Sequence, residues 1–236
     1  MSAALRAELL RAVTGSAGAA VLAFALLVPL AVLAIAPHSS APTDPTAAVY
    51  SACGASFVTA MFWGSYGVTR EFYYGSLGRS LVVTRLVDLF RAKALAAAMT
   101  SLALGAVTST AWIAVTAIVV RSSGESFTPS VDMLPVALGS TVSSALGGVL
   151  GSAAGWITRN YYAACGLVLA VPFAVELPLL SAAPEIERLL PAGALAGITA
   201  SETLALLPPA AALGVAVGWC AIATTAAWFV TVRRSE

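Results

Sequence analysis

Apolar residues in this chain come in long blocks, and polar residues crowd into the gaps between them. About 20 residues at 1.5 Å rise cover the ~30 Å hydrocarbon core of a bilayer, so each block is long enough to span it as a helix. The pattern predicts six spans, at about 16–36, 47–69, 94–120, 131–156, 161–181 and 209–230. Ahead of the first, "SAALRAELLRAV" sets Leu5, Leu9 and Val13 at i, i+4 and i+8, with Arg6 and Arg11 away from that stripe. That pattern predicts an amphipathic helix resting in the headgroup layer. The loop after the first span, "PHSSAPTDPT", is rich in turn formers.

The stretch 182–208 is too apolar for an ordinary external loop, yet Pro191 and several glycines interrupt it. Pro184 suits a first helical turn, with Glu185 and Glu187 following at the favourable end of the helix dipole. The expectation is two short helices, broken near Pro191–Gly193 and dipping back into the membrane. Irregular backbone at that depth must be covered by protein or face water.

Composition strengthens this picture. Hydrophobic residues make up 59% of the 236 and charged residues only 10%, with a mean hydropathy of +0.91. Soluble chains run nearer a quarter charged. The expected fold class is an all-α integral membrane protein, residues 1–236 forming a single transmembrane domain. The apolar run from about Ala17 to Ala36 exceeds the usual signal-peptide core of about 7–15 residues, so it reads as a retained span. Cys53, Cys165 and Cys220 lie within apolar blocks and read as small packing residues, with no disulfide framework or metal site supported. The single histidine, His38, sits in a polar loop.

Charge is unevenly placed. Seven of the 12 basic and 11 acidic residues fall between Arg70 and Lys93. Counting Lys and Arg in the connections puts Arg6, Arg11, Arg70, Arg79, Arg85, Arg91, Lys93, Arg159, Arg233 and Arg234 on one side, and only Arg121 and Arg188 on the other. Cytoplasmic loops carry such an excess, so both termini and the charged segment are expected in the cytoplasm.

Within that segment, Val82, Leu86 and Leu89/Phe90 share one helical face, and Arg85, Asp88 and Arg91 another, at i, i+3 spacing. Gly75 and Gly78 stand ready to break the end of the second span. A short amphipathic helix across the cytoplasmic face follows. As a positive-inside anchor it would need only the arginines; a docking surface also accounts for Glu71 and Asp88.

Two further features carry alternatives. Gly147, Gly151 and Gly155, four apart in the fourth span, allow close helix approach, either between subunits or as an internal seam. Glu176 lies inside the fifth span between Pro172 and Pro178. An intramembrane acid suggests a pathway residue touching substrate, or one that pairs with a polar neighbour. Asp132 marks the outer end of the fourth span.

Some functions are excluded. No G-x-x-x-x-G-K-[ST] occurs, so ATP is not held in the P-loop manner. A metalloprotease needs a His/Glu cluster and a rhomboid-type protease an embedded histidine, and one loop histidine serves neither. Ion-coupled carriers often show broken helices in corresponding places of two halves, and the break here has no counterpart in the first half. An ion-coupled carrier or channel stays as the alternative.

The layout resembles the membrane subunit of an ABC-2 type exporter, over nearly the whole chain. That family's loop carries a Glu, then Gly with a small residue, Leu, Arg and Lys. Glu71, Gly75, Ser76, Leu77, Arg85 and Lys93 match it, while "VVTR" stands where a proline often precedes the arginine. The resemblance implies a permease without its own cofactor, acting with a second permease chain and a cytoplasmic ABC ATPase subunit that binds ATP and Mg. It implies export across the bacterial cytoplasmic membrane, with no nucleic-acid partner; spans of Ala, Val, Leu and Gly with few charges fit an apolar or amphipathic substrate and equally fit plain lipid-facing surface. It makes Arg70, Glu71, Gly75, Arg79, Arg85, Asp88, Arg91 and Lys93 the ATPase-coupling residues. Glu176, Pro184 and Pro191 then belong to the pathway or its external gate.

Overall fold

The computed structural model describes residues 3–14, 16–35, 53, 56–122, 133–199 and 206–234, and every regular element among them is a helix. In chain order these are α1 (Ala3–Val13), α2 (Ser16–Ile35), α3 (Ser56–Tyr73), α4 (Leu77–Val83), α5 (Leu86–Ser122) and α6 (Met133–Thr158). After them come α7 (Tyr161–Ala182), α8 (Pro184–Glu187), α9 (Pro191–Gly197) and α10 (Pro209–Arg233). His38, Asp132 and part of the predicted second span lie outside the described residues.

Among the described residues, four helices are long and apolar enough to cross a membrane: α5 over Leu86–Val115, α6, α7 and α10. The α1–α2 pair, bent by 64°, makes a fifth if counted as one span. The chain is therefore a multi-pass membrane protein by the length and composition of its helices. α3 is more polar than these four, and its packing shows why it tolerates that. It is wedged against α6, α5 and α7, so Ser65 and Thr69 are buried in protein and bond back to Phe62 O and Ser65 O.

α6 is the centre of the bundle, touching α3, α5, α9 and α10. Its glycine strip is an internal seam. A Cβ on Gly147 would stand 2.8 Å from Phe57 O, one on Gly155 2.9 Å from Val68 Cβ, and one on Gly151 would run into Met61 O. Gly64 of α3 completes the contact against the backbone of Gly148. Small residues let backbones approach this closely in lipid. Of the two readings of the strip, the structure selects the seam within one chain.

At one end of the bundle, Phe72, Phe90, Trp156 and Trp228 form an aromatic cluster that gathers the last turns of α3, α6 and α10 and the first turn of α5. Arginines close the same end. Arg159, in the left-handed region at φ 52°, donates to Thr231 O at 3.1 Å, and Arg234 donates to Ile157 O at 3.3 Å. Cations at helix C-termini meet carbonyls that lack helical partners.

The charged segment differs from its expected form. α3 runs on through Arg70 and Glu71 to Tyr73, and the chain turns at Gly75, whose φ is +62°. Gly78 breaks nothing, since it lies within α4. The backbone instead extends at Thr84 (φ −143°, ψ 138°), and Leu86 opens a single helix that continues through the third span. The shared face expected for Val82, Leu86 and Leu89/Phe90 is thus split between two helices. Leu89 and Phe90 are buried, while Val82 is exposed.

In α7 the turn Val171–Glu176 is a π-helix. Pro172 has no N–H to give, and the helix widens so that Leu177 N–H reaches Pro172 O, five residues back. Beyond α7, the break in the 182–208 stretch falls at Arg188–Leu190; Pro191 begins α9 instead of interrupting it. α9 is buried: Ala192, Ala194, Leu195 and Ile198 pack with Phe57 of α3, Leu150 of α6 and Ala212, Ala216 and Cys220 of α10.

The seam makes a direct prediction. Gly151→Ala should lower the thermal midpoint of the purified protein, an overpacking cost on the order of 1–3 kcal/mol. Gly214→Ala, where nothing lies within 4 Å, should not lower it. Equal midpoints for the two variants would rule out the seam.

Candidate functional site

Four charged side chains from three helices form a closed ring at the aromatic end of the bundle. Lys93 Nζ of α5 lies 2.9 Å from Glu8 Oε2 of α1 and 3.0 Å from Glu71 Oε1 of α3. Arg11 Nη1 of α1 lies 2.7 Å from Glu8 Oε1 and 2.8 Å from Glu71 Oε1. Each cation touches both acids, so the ring is neutral. The Lys93 side chain is only 2% exposed, against 46% for Arg11.

Backbone and side-chain bonds extend the ring. Lys93 also donates to Gly67 O at 3.2 Å, Arg11 reaches Ser80 Oγ of α4 at 3.5 Å, and Arg70 donates to Arg11 O at 3.2 Å. A cavity of about 30 Å³ sits behind it, lined by Glu8, Trp63, Gly67, Lys93 and Thr100 among others.

The geometry divides the residues singled out for ATPase coupling into two sets. Glu71 and Lys93 are buried and bonded within the chain, so they tie α1, α3 and α5 together and present no surface. Arg70 is half-buried, with its guanidinium 5.8 Å from the Tyr66 ring centroid. Arg79, Arg85, Asp88 and Arg91 are exposed, and no ion pair joins the last three at their i, i+3 spacing. Gly75 is the turn that connects the two sets.

Glu8 was not among the expected site residues. The apolar stripe drew attention to Leu5, Leu9 and Val13, yet Val13 is exposed and Glu8 is the buried side chain of α1. A lone acid facing the side of a short helix where its partners must lie was the available signal.

Around the ring end lies a surface of contrasting chemistry. α4 stands at the edge of the bundle, and Val82 and Val83 are 86% and 83% exposed beside Arg79 and Arg85. A groove of about 250 Å³ runs next to it, lined by Ala3, Ala4, Ala7, Arg11, Val83 and Leu89 with others from α1 and α4.

The chain matches no protein-family model, no curated protein and no solved structure.

In the other half of the bundle, Glu176 is buried, and its Oε2 accepts Ala192 N–H at 2.7 Å. This is the pairing reading of that residue: it satisfies a backbone donor at the start of α9. Pro184 and Pro191 each begin a short helix. Ser56, Ser140 and Ser144 link α3 to α6 through hydroxyl contacts of 2.7 and 3.0 Å, with Ser140 donating to Cys53 O at 2.9 Å. Among the described residues no group of three or more His, Cys, Asp or Glu side chains is placed to hold a metal.

Removing one partner of a buried ion pair leaves an uncompensated charge and costs about 3–5 kcal/mol. Lys93→Met should therefore lower the thermal midpoint sharply and expose α1 to trypsin at Arg6, whereas half-exposed Arg11→Ala should cost clearly less. Adding Glu8→Gln to Lys93→Met should recover part of the loss. Wild-type stability in Lys93→Met would show that the ring does not hold α1.

Proposed function

We propose that this chain is the membrane-spanning permease subunit of an ABC exporter of the ABC-2 type, docking a separate cytoplasmic ATPase through α4. The observation that carries the proposal is α4 itself. It is a short helix at the bundle edge, with exposed Val82 and Val83 flanked by exposed Arg79 and Arg85. Exposed aliphatic side chains rimmed by charge are the chemistry of a protein-docking surface.

The remaining parts take roles around it. The six spans are α2, α3, α5, α6, α7 and α10, with α1 as the interface helix and α8–α9 as a re-entrant external gate. The ten basic residues of one side face the cytoplasm, in a bacterial cytoplasmic membrane, with both termini there. ATP and Mg bind the partner ATPase, and a second permease chain, identical or different, completes the route. The substrate class is apolar or amphipathic: a drug, a lipid or a hydrophobic peptide.

Under this reading the buried ring is the mechanical link. A displacement of α4 passes to Arg11 through Ser80, and from Arg11 to Glu71 of α3 and, through Glu8, to Lys93 of α5. One observation favours the alternative of an ion-coupled carrier: two carboxylates, Glu176 and Glu187, are buried in the half of the bundle away from the ring.

The test is affinity purification of the chain in mild detergent from its native cell, with mass spectrometry of what accompanies it. A P-loop ATPase should co-purify, and Val82→Glu/Val83→Glu or Arg79→Glu/Arg85→Glu should release it at least tenfold without lowering the thermal midpoint. A chain that comes without any ATPase and still moves a solute in liposomes would replace the permease reading with the carrier.

A further inference from the structure

Glu176 and Glu187 arrive from different helices at two neighbouring residues, Ala192 and Gly193, near the start of α9. Glu176, from the π turn of α7, accepts Ala192 N–H at 2.7 Å. Glu187, the last residue of α8, lies over the next residue, Gly193, where a Cβ would stand 2.9 Å from Glu187 Oε1. The backbone of Glu187 is closer still, so no other residue fits at position 193 without displacing α8.

Among the described residues no cation pairs with these acids. Arg188, next in the chain, pairs with Glu185, and both are substantially exposed. α9 itself reads PAGALAG and has no titratable side chain. From α10, Trp219 donates to Leu189 O at 2.9 Å, and the thiol of Cys220 is directed at Leu146 O of α6. Among the described residues, the charge that acts on Glu187 is that of Glu176. Glu187 is 4% exposed, and its Oε2 is buried with no hydrogen-bond partner.

Two neighbouring buried carboxylates without a cation do not both ionise. The Ala192 N–H serves Glu176, and no donor serves the free oxygen of Glu187. We propose that Glu187 is a proton-binding site, and that the bound proton is the latch holding α8 and α9 against α7. With the proton present, Glu187 is a neutral acid able to donate from Oε2. When the proton leaves, two like charges meet at the start of α9, and the turn Arg188–Leu190 is where the two short helices part.

Glu187 lies between the spans, and burial first, then the Glu176 carboxylate, push its carboxyl up from 4.5 to about 7. The folded chain then holds a proton that the unfolded chain releases. Stability from this source is full below 4.5, falls as pH rises to about 7, and is level above that. The proposal does not depend on ATPase docking, since a proton latch can sit in an exporter or a carrier.

The test uses the purified full chain and dicyclohexylcarbodiimide, an apolar reagent that modifies protonated carboxyl groups, with the adduct located by peptide mass spectrometry. Glu187 should be modified on the acid side of neutral and several-fold less on the alkaline side. Glu187→Gln, a neutral isostere, should fold, lose the adduct and flatten the decline of the thermal midpoint between 4.5 and about 7. The proposal is overturned by an unmodified Glu187 at both pH values, by modification independent of pH, or by a Glu187→Gln chain that keeps the pH dependence. A Glu187→Gln chain that cannot fold overturns it too, because a site filled by the protonated acid accepts the amide.

Discussion

In lipid, helices gain little by hiding apolar surface from one another, because the surrounding tails are as apolar as leucine. What holds this bundle is close backbone approach, and α6 supplies it. Gly147, Gly151 and Gly155 clear side chains from three successive turns of its contact with α3, and Gly148 does the same toward α5, where a Cβ would meet Ala97 O at 2.7 Å. At such distances dispersion contacts add up along the seam. Buried hydroxyls of Ser56, Ser140 and Ser144 stitch the same faces with hydrogen bonds. α3 can then carry more polar residues than a lipid-facing span, because α6 and its other neighbours cover it.

The seam decides where charge can be buried. It sets the ends of α3 and α5 side by side, so Glu71 and Lys93 come within 3.0 Å. Alone, that pair would leave carboxylate oxygens poorly served; α1 brings Glu8 and Arg11 and closes the ring. One oxygen, Glu71 Oε2, still has no partner. A neutral ring of this kind is costly to break from any single side and weak evidence for net stability. Its value is specificity: α1 has one place to sit. Glu176 and Glu187, by contrast, meet with no cation between them. The ring thus pairs its buried carboxylates, whereas Glu187 keeps a buried oxygen with no partner, the place of the proposed proton.

The charged stretch Arg70–Lys93 shows how local pattern and tertiary contact divide the work. Read as a sequence it is one cluster of seven charges. In the fold, Glu71 and Lys93 turn inward and Arg79, Arg85, Asp88 and Arg91 turn outward. Helical spacing placed Val82 with Leu89 because it assumed one continuous helix. Thr84 adopts an extended conformation, and a single such residue resets the phase of everything after it.

Block length and composition were enough for the helical class and the spans now seen as α5, α6, α7 and α10, and the residue types alone for the helix start at Pro184 and for one of the two expected glycine breaks, Gly75 but not Gly78. These depend on the ~30 Å hydrocarbon thickness and on what glycine and proline allow locally. The glycine strip was visible too, but not what it packs against. Glu8 as a ring member, the inward turn of Lys93, the breaks at Thr84 and Arg188–Leu190 and the meeting of Glu176 with Glu187 were decided only by the tertiary structure. Each joins residues from separate helices or depends on how those helices pack. A pattern along one helix says which face is apolar, but not which other helix will lie on it, and a charge's partner is fixed only when the helices are brought together.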